Sequence, residues 1–167
     1  MVFTGKAAAL PGKKRSLRGR RLVVVDIENV VGGAVLTIEQ AVGAHLSINE
    51  VAALDGSEHV VIGTSHVGVV STGLGWRGPR LVVRSGDNGA DFALLDVLTE
   101  ERVAERFDEV VLVSGDGIFA EAVADLGSAG VEVTVVAHPG RCSKRLRLAA
   151  RRTVLFDRLG VGFGGAA

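Results

Sequence analysis

The chain has 167 residues with 19 Lys or Arg and 19 Asp or Glu, so its formal net charge is zero, and its length fits a single domain with a buried core. Aromatic residues make up 4% of the sequence and tyrosine is missing, which counts against a nucleic-acid binder built on base stacking. The single cysteine, Cys142, excludes an intrachain disulfide and a multi-cysteine zinc site.

Strand and helix patterns alternate along most of the chain. Residues 1–20 are rich in Lys, Arg and Gly and contain no acid, and we expect them to form a flexible basic arm. Strands are then predicted at 21–26, 58–63, 80–84, 109–114 and 131–136, with a short sixth strand at 153–156. Helices are predicted at 36–45 with a second piece at 48–54, at 89–106 with Asp87 or Asn88 as the N-cap, at 118–128, and at 143–152. The segment 64–75 carries no decisive pattern, and residues 158–167 form a Gly-rich tail.

This alternation predicts an α/β fold. Strands separated by helix-length connections indicate a three-layer domain with a mostly parallel sheet. The first strand is almost continuously apolar and β-branched, as expected of a strand that is covered on both faces. We therefore expect one folded domain over residues 21–157, with a five-stranded sheet in the order 3-2-1-4-5 and the short sixth strand beside it.

Three acidic motifs lie at the ends of predicted strands or at a helix start. Asp26 falls in VVVDIEN, Asp91 in NGADFALLD and Asp116 in VLVSGDG. Each acid alone could be a helix cap or a favourable charge at a helix N-terminus. Because the carboxyl ends of parallel strands gather at one edge of the sheet, the three should nevertheless converge. Clustered carboxylates repel one another unless protons or cations compensate, so the pattern predicts a hard divalent metal.

Taken together, the motifs resemble those of the NYN family of PIN-like nucleases, over roughly residues 21–156. The matching features are Asp-x-x-Asn after the first strand, Gly-x-Asp-x-x-x-x-Asp at a helix start and Ser-Gly-Asp after the fourth strand. The resemblance implies a PIN-like fold and a metal-dependent ribonuclease that uses Mg²⁺ or Mn²⁺. The implied metal ligands are Asp26, Asp91 and Asp116, with Asp96 as a further candidate. Asn29 and Ser114 are implied to hold the carboxylates or the substrate in place.

The chain departs from the family pattern at Ile118. The family motif commonly reads Ser-Gly-Asp-x-Asp-Phe, whereas here Ile118 stands at the position of the second Asp. Isoleucine cannot ligate a metal, so one carboxylate of the pattern is missing. Three functions therefore stay open: an endoribonuclease, an RNA-binding protein without catalytic activity on a degenerate nuclease fold, and a phosphoesterase for small molecules.

Basic residues are concentrated in two segments. Residues 13–21 and 141–152 together hold 12 of the 19 Lys and Arg, and this segregation predicts surfaces that bind a polyanion. The second segment starts at the same edge of the sheet as the acids, so we expect it to guide the scissile phosphate of an RNA, most simply a single strand. The predicted RNA-binding residues are Arg141, Lys144, Arg145, Arg147 and Arg151.

The sequence also indicates where in the cell the protein is located. Its longest apolar stretches have the length of strands, well below the ~20 residues that a membrane helix needs. The N-terminus has early positive charge without a continuous apolar core, so a secretory signal is not expected. We expect a cytoplasmic protein with no membrane partner, and the sequence leaves a homo-oligomer open.

Overall fold

A six-stranded, all-parallel sheet forms the centre of the protein. The computed structural model describes residues 19–156. The strands are β1 (Arg21–Asp26), β2 (His59–Thr64), β3 (Arg80–Val83), β4 (Glu109–Val113), β5 (Glu132–Ala137) and β6 (Arg152–Leu155). They lie in the order 3-2-1-4-5-6, and every neighbouring pair is parallel. The predicted α/β class, the order 3-2-1-4-5 and the short sixth strand are confirmed.

Helices cover both faces of this sheet. They are α1 (Ile27–Val31), α2 (Ile38–Ala52), α3 (Val69–Gly75), α4 (Gly89–Glu100), α5 (Val103–Arg106), α6 (Ala120–Ser128) and α7 (Lys144–Ala149). A 3₁₀ turn at Gly117–Phe119 precedes α6. No helix within residues 19–156 has the length and apolar character that crossing a membrane requires.

Three predicted helices have different bounds in the structure. The two pieces at 36–45 and 48–54 are the single helix α2, because Ala41, Ala44 and Ile48 form one continuous buried face. The predicted helix 89–106 is divided into α4 and α5, because Arg102 adopts a left-handed φ of 54°. The basic helix predicted at 143–152 ends at Ala149 and is followed by β6, so it is the six-residue helix α7.

The two faces of the sheet bury separate apolar clusters. Side chains alternate between faces along a strand, so Val23 and Val25 of β1 pack under α1 and α2. Val24 and Leu112 point to the opposite face and pack under α4 and α6. The apolar run of β1 therefore reflects burial on both sides, as expected for a parallel sheet.

The strands end together at one edge of the sheet, which we call the carboxyl pole. Val25 of β1 is in register with Ile62 of β2 and with Val113 of β4. The residues that lie at or just after the ends of β1, β2, β4 and β5 are Asp26, Ser65, Ser114 and His138. The helix α4 starts at the same edge, so the three acidic motifs are brought to one pole.

The expected basic arm and Gly-rich tail fall almost entirely outside the described residues. Of the arm, residues 19 and 20 are described, and the main-chain N–H of Arg20 donates to Asp108 Oδ2 at 2.8 Å. The next residue, Arg21, starts β1 and pairs with Glu58 and Glu109. The two basic residues nearest the domain are thus held at the amino end of the sheet, opposite the carboxyl pole.

Candidate active site

Asp26 is fixed through both of its carboxylate oxygens. It is the last residue of β1 and the N-cap of α1, and its Oδ1 accepts a hydrogen bond from the main-chain N–H of Asn29 at 3.1 Å. Its Oδ2 accepts a hydrogen bond from the Ser114 hydroxyl at 2.9 Å. The side chain is only 4% exposed. The carboxylate of Asp26 therefore caps α1 and is also the group that the sequence predicted for the acidic cluster.

The loop after β4 is tied to Asp26 by the same neighbours. Ser114 Oγ accepts a hydrogen bond from the main-chain N–H of Asp116 at 3.2 Å. Asn29 Oδ1 accepts one from the main-chain N–H of Gly115 at 3.1 Å. Asn29 and Ser114 therefore join the end of β1 to the Ser-Gly-Asp loop and set the position of Asp116 relative to Asp26.

Asp26 and Asp91 form a coupled carboxyl pair. Burial, together with the negative charge of Asp91, raises the pKa of Asp26 to about 7, although hydrogen bonds from Asn29 and Ser114 act in the opposite direction. Burial also raises the pKa of Asp91, whereas its hydrogen bond with Asp26 lowers it. Two adjacent buried carboxylates resist ionising together, so a proton or a cation between them is favoured, and the higher pKa of Asp26 makes it the acid that holds a proton more readily.

Two further acids act on this pair. The charges of Asp116 and Glu28 both raise the pKa of Asp91. Glu28 lies in the first turn of α1, where its Oε1 accepts a hydrogen bond from the main-chain N–H of Ser65 at 2.9 Å. The Ser65 hydroxyl is buried and has no hydrogen-bond partner within the described residues. The sequence prediction omitted Glu28, although its place two residues after Asp26 at a strand end was an available signal.

Asp116 caps the turn that follows it, and Ile118 packs into the core. The carboxylate of Asp116 accepts a hydrogen bond from the main-chain N–H of Ile118 at 2.9 Å. The Ile118 side chain is partly buried against the apolar cluster beneath α4 and α6. The position at which the family pattern has a second Asp is therefore used for packing in this chain.

Asp96 lies in a surface ion pair. Its exposed carboxylate accepts a hydrogen bond from Arg84 Nη2 at 2.8 Å. Asp96 is five residues beyond Asp91 on α4, about 140° further round an ideal helix, and this rotation turns it toward the end of β3. Its expected part in metal binding stays a prediction.

The acidic cluster fits a hard cation in its chemistry. All of its donors are carboxylate oxygens, and burial, together with neighbouring negative charge, raises the pKa of Asp26 and of Asp91, so a bound cation would favour their ionised forms. Within residues 19–156, no three Asp, Glu, His or Cys side chains are already arranged as a ligand set. Mg²⁺ commonly keeps several waters and binds through one or two carboxylates. Asp26 and Asp91 are the pair that could hold such an ion, with Asp116 and Glu28 close enough to add to the field.

A basic loop packs directly against the Ser-Gly-Asp loop. A Cβ on Gly115 would lie 1.9 Å from the carbonyl oxygen of Arg141, so only glycine fits at this position. The main-chain N–H of Ser143 donates to the Gly115 carbonyl at 2.8 Å. A Cβ on Gly32 would lie 3.8 Å from Arg141 Nη1, which places this guanidinium beside the end of α1. The start of the basic segment therefore lies at the carboxyl pole.

The predicted RNA-binding side chains are exposed around this loop and α7. Within the part of the chain that the structure describes, none of them pairs with a carboxylate. They are Arg141, Lys144, Arg145, Arg147 and Arg151. Arg152, in contrast, begins β6. Arg141 thus lies at the carboxyl pole, whereas α7 leads away from it, and the main-chain N–H of Arg151 donates to the Val133 carbonyl near the start of β5, toward the other end of the sheet.

Comparison with known proteins finds a matching family model and a solved structure with a similar fold. No curated protein matches the chain. The family model of the NYN domain matches residues 61–157, a range that includes Asp91 and Asp116 and begins after Asp26. A crystal structure of a protein of unknown function from Vibrio parahaemolyticus is similar, with a TM-score of 0.53 and 19% identity. The similarity covers 87% of this chain and 98% of that one, and at this identity it shows the fold alone.

Proposed function

Because the chain belongs to the NYN domain family, whose members are PIN-like and nuclease-like, we propose that it is a metal-dependent endoribonuclease. The observation that carries the proposal is the coupled pair Asp26 and Asp91 at the carboxyl pole, with Asp116 beside it. Arg141, an exposed cation on the loop before α7, lies at the same pole. An acidic centre with a cation at the same pole is suited to bind a metal ion and a phosphodiester together.

The acids have separate tasks in this proposal. Asp26 and Asp91 would hold Mg²⁺ or Mn²⁺, with Asp116 adding negative charge. When bound, the ion would supply a Lewis acid and a water of lowered pKa. Asp26 must ionise to bind the ion, and the Ser114 hydroxyl and the Asn29 main-chain N–H stabilise the ionised form. Ser114 and Asn29 are positioning residues in this scheme.

The substrate is proposed to be single-stranded RNA that is held through its phosphates. Arg141 and the basic side chains of α7 offer positive charge that no carboxylate of residues 19–156 pairs with, and phosphate neutralisation provides sequence-independent affinity. Because aromatic residues are scarce, stacking of bases contributes little. Asp26 is almost fully buried, so a flexible strand reaches the pair more readily than a stiff duplex.

The direct test is cleavage of an end-labelled single-stranded RNA by the purified full-length chain. We expect cleavage with Mn²⁺ or Mg²⁺, none with EDTA, and a loss of at least a hundredfold in Asp26→Asn. The matched control is Asp125→Asn, which neutralises an exposed acid in the second half of α6, further from the pole. Cleavage that persists undiminished in EDTA and in Asp26→Asn would contradict the mechanism.

A second function is favoured by one observation, the packing of Ile118 where the family pattern has an acid. It is RNA binding without turnover. Cleavage that appears only in Ile118→Asp would establish this alternative, whereas wild-type turnover excludes it. Hydrolysis of a generic phosphate ester without any action on RNA would instead indicate a small-molecule phosphoesterase.

A further inference from the structure

The helices α2 and α3 expose a group of large apolar side chains. Six of them have exposed fractions between 39% and 68%. They are Ile38, Val42 and Leu46 on α2, Val67 just before α3, and Val70 and Leu74 on α3. We call this surface the α2–α3 face. Other residues form the buried side of α2, so the three exposed apolar residues of this helix are not needed to attach it to the sheet.

The six side chains lie on one continuous surface because the two helices pack closely side by side. A Cβ on Gly75 would lie 2.6 Å from the Cβ of Ala41 and 2.7 Å from the carbonyl oxygen of Ile38, so α3 rests directly on the α2 backbone. Beyond this contact the ring of His45 stacks on that of Trp76 at 4.3 Å. The two helices are therefore held in direct contact, with their exposed apolar side chains on neighbouring elements.

This surface is nearly free of charge. Among residues 30–49, Glu39 is the one charged side chain, and residues 59–76 contain no Asp, Glu, Lys or Arg. The opposite side of the sheet carries ion pairs such as Arg80 with Glu101 and Arg102 with Glu105. A polyanion would find no positive charge on the α2–α3 face, so RNA is not its partner.

We propose that the α2–α3 face joins two copies of this chain in a twofold-symmetric homodimer. The six side chains expose on the order of 600 Å² of apolar surface, the upper end for a monomer and near the ~800 Å² that each partner of a standard interface buries. An apolar surface with Glu39 as its one acid can pack against its own copy with little opposition of like charges, which suits a twofold contact. The basic helix α7 packs on the other face of the sheet, so the dimer leaves it free.

The test is the mass of the full-length protein by sedimentation equilibrium over a wide concentration range. We expect wild type to reach the mass of two chains and the double variant Leu46→Glu/Val70→Glu to weaken association at least tenfold, because burying unpaired carboxylates is unfavourable. The control is Leu148→Glu on α7, which changes a leucine that is 75% exposed outside the face. This readout is independent of cleavage.

Two outcomes would overturn the proposal. One is a wild-type chain that stays monomeric at every concentration, in which case the face serves a different partner or none. The other is equal association of the double variant and the Leu148→Glu control. As a second measurement that needs no variant, the melting temperature of wild type should rise with protein concentration, because mass action stabilises a dimer. A melting temperature independent of concentration would contradict dimer formation.

Discussion

Asp26 shows how one residue can serve both the fold and the chemistry. Its carboxylate caps α1 and accepts a hydrogen bond from Ser114 on the neighbouring strand β4. A cap alone would be satisfied by one oxygen at an exposed position. Here both oxygens are bound, the group is buried, and a second carboxyl from α4 lies against it. Such an arrangement is unfavourable without a proton or a cation, and this makes the site responsive to pH and metal.

The first residue-scale prediction concerns stability in metal-free protein. The pKa of Asp26 rises from 3.8, its ordinary value, to about 7 in the fold. Between these values the native state holds a proton that the unfolded chain has released, so the free energy of unfolding should fall as pH rises through this window. Below this pH window the protonated Asp26 contributes its full stabilisation of the native state. Above the window that contribution, about a few kcal/mol, is lost.

Asp26→Asn should flatten that pH dependence, because an amide does not titrate. Urea unfolding in EDTA at about pH 5 and about pH 8 would measure the difference, on either side of most of the titration. Added Mn²⁺ should restore stability to wild type at the higher pH and leave Asp26→Asn unchanged. Parallel pH profiles for the two proteins would contradict the assigned pKa shift.

The hydroxyl of Ser114 is expected to set the pH at which Asp26 ionises. This hydroxyl lowers the pKa of Asp26 by stabilising the ionised form, so Ser114→Ala should raise that pKa. The acid limb of the cleavage rate, measured against pH, should then move to higher pH while some activity remains at alkaline pH. Ser128→Ala is the matched control, since that hydroxyl bonds only to the Ala124 carbonyl within α6. A rate that falls equally at every pH would indicate a purely structural loss.

At the scale of elements, the loop after β4 depends on a glycine. Gly115→Ala would place a Cβ 1.9 Å from the Arg141 carbonyl, so the two loops must separate. We expect a destabilisation of about 1–3 kcal/mol by thermal or urea unfolding and a larger relative loss of cleavage. Gly127→Ala on α6 has nothing within 4 Å of the added atom and should be neutral or stabilising. Equal behaviour of the two variants would refute the loop contact.

The basic side chains of α7 are expected to contribute to RNA binding. Replacing Lys144, Arg145 and Arg147 by Ala should weaken RNA binding and lower the slope of log affinity against log salt by about 2, because about 0.7 counterion is released per neutralised phosphate of a single strand. Fluorescence anisotropy across a salt series measures both. Deleting residues 1–18 should lower affinity while leaving the cleavage positions unchanged. If the deletion moved the cut sites while the triple variant bound RNA normally, the N-terminal arm, and not α7, would be the segment that guides the RNA.

The elements that the sequence predicted well are those with a strong local pattern. The apolar runs of β1 and β4 were placed within one residue of the observed bounds. The helix α3 was missed because its residues VVSTGLG combine β-branched side chains with two glycines, and it is held by packing on α2. The division of α4 from α5 depends on the left-handed backbone at Arg102, for which the sequence offers no glycine or proline as a marker.

For the whole molecule, the parallel sheet made the site partly predictable. Because strand order fixes which ends are neighbours, Asp26 and Ser114 could be expected to meet. Side-chain direction could not be obtained in this way. The contact of Asp91 with Asp26, the approach of Glu28 and the pairing of Asp96 with Arg84 depend on helix rotation and on loops that pack tightly. The basic helix α7 and the α2–α3 face lie on opposite sides of the sheet.

The two acids of α4 can be told apart by the dependence of single-stranded RNA cleavage on Mn²⁺ concentration in wild type, Asp91→Asn and Asp96→Asn. Both substitutions neutralise an acid on α4, one in contact with Asp26 and one paired with Arg84 at the surface. We expect metal-dependent cleavage by wild type, its loss by at least a hundredfold in Asp91→Asn, and near-normal cleavage by Asp96→Asn. A wild type without metal-dependent cleavage, or a loss in Asp96→Asn with Asp91→Asn unaffected, would contradict the proposed mechanism.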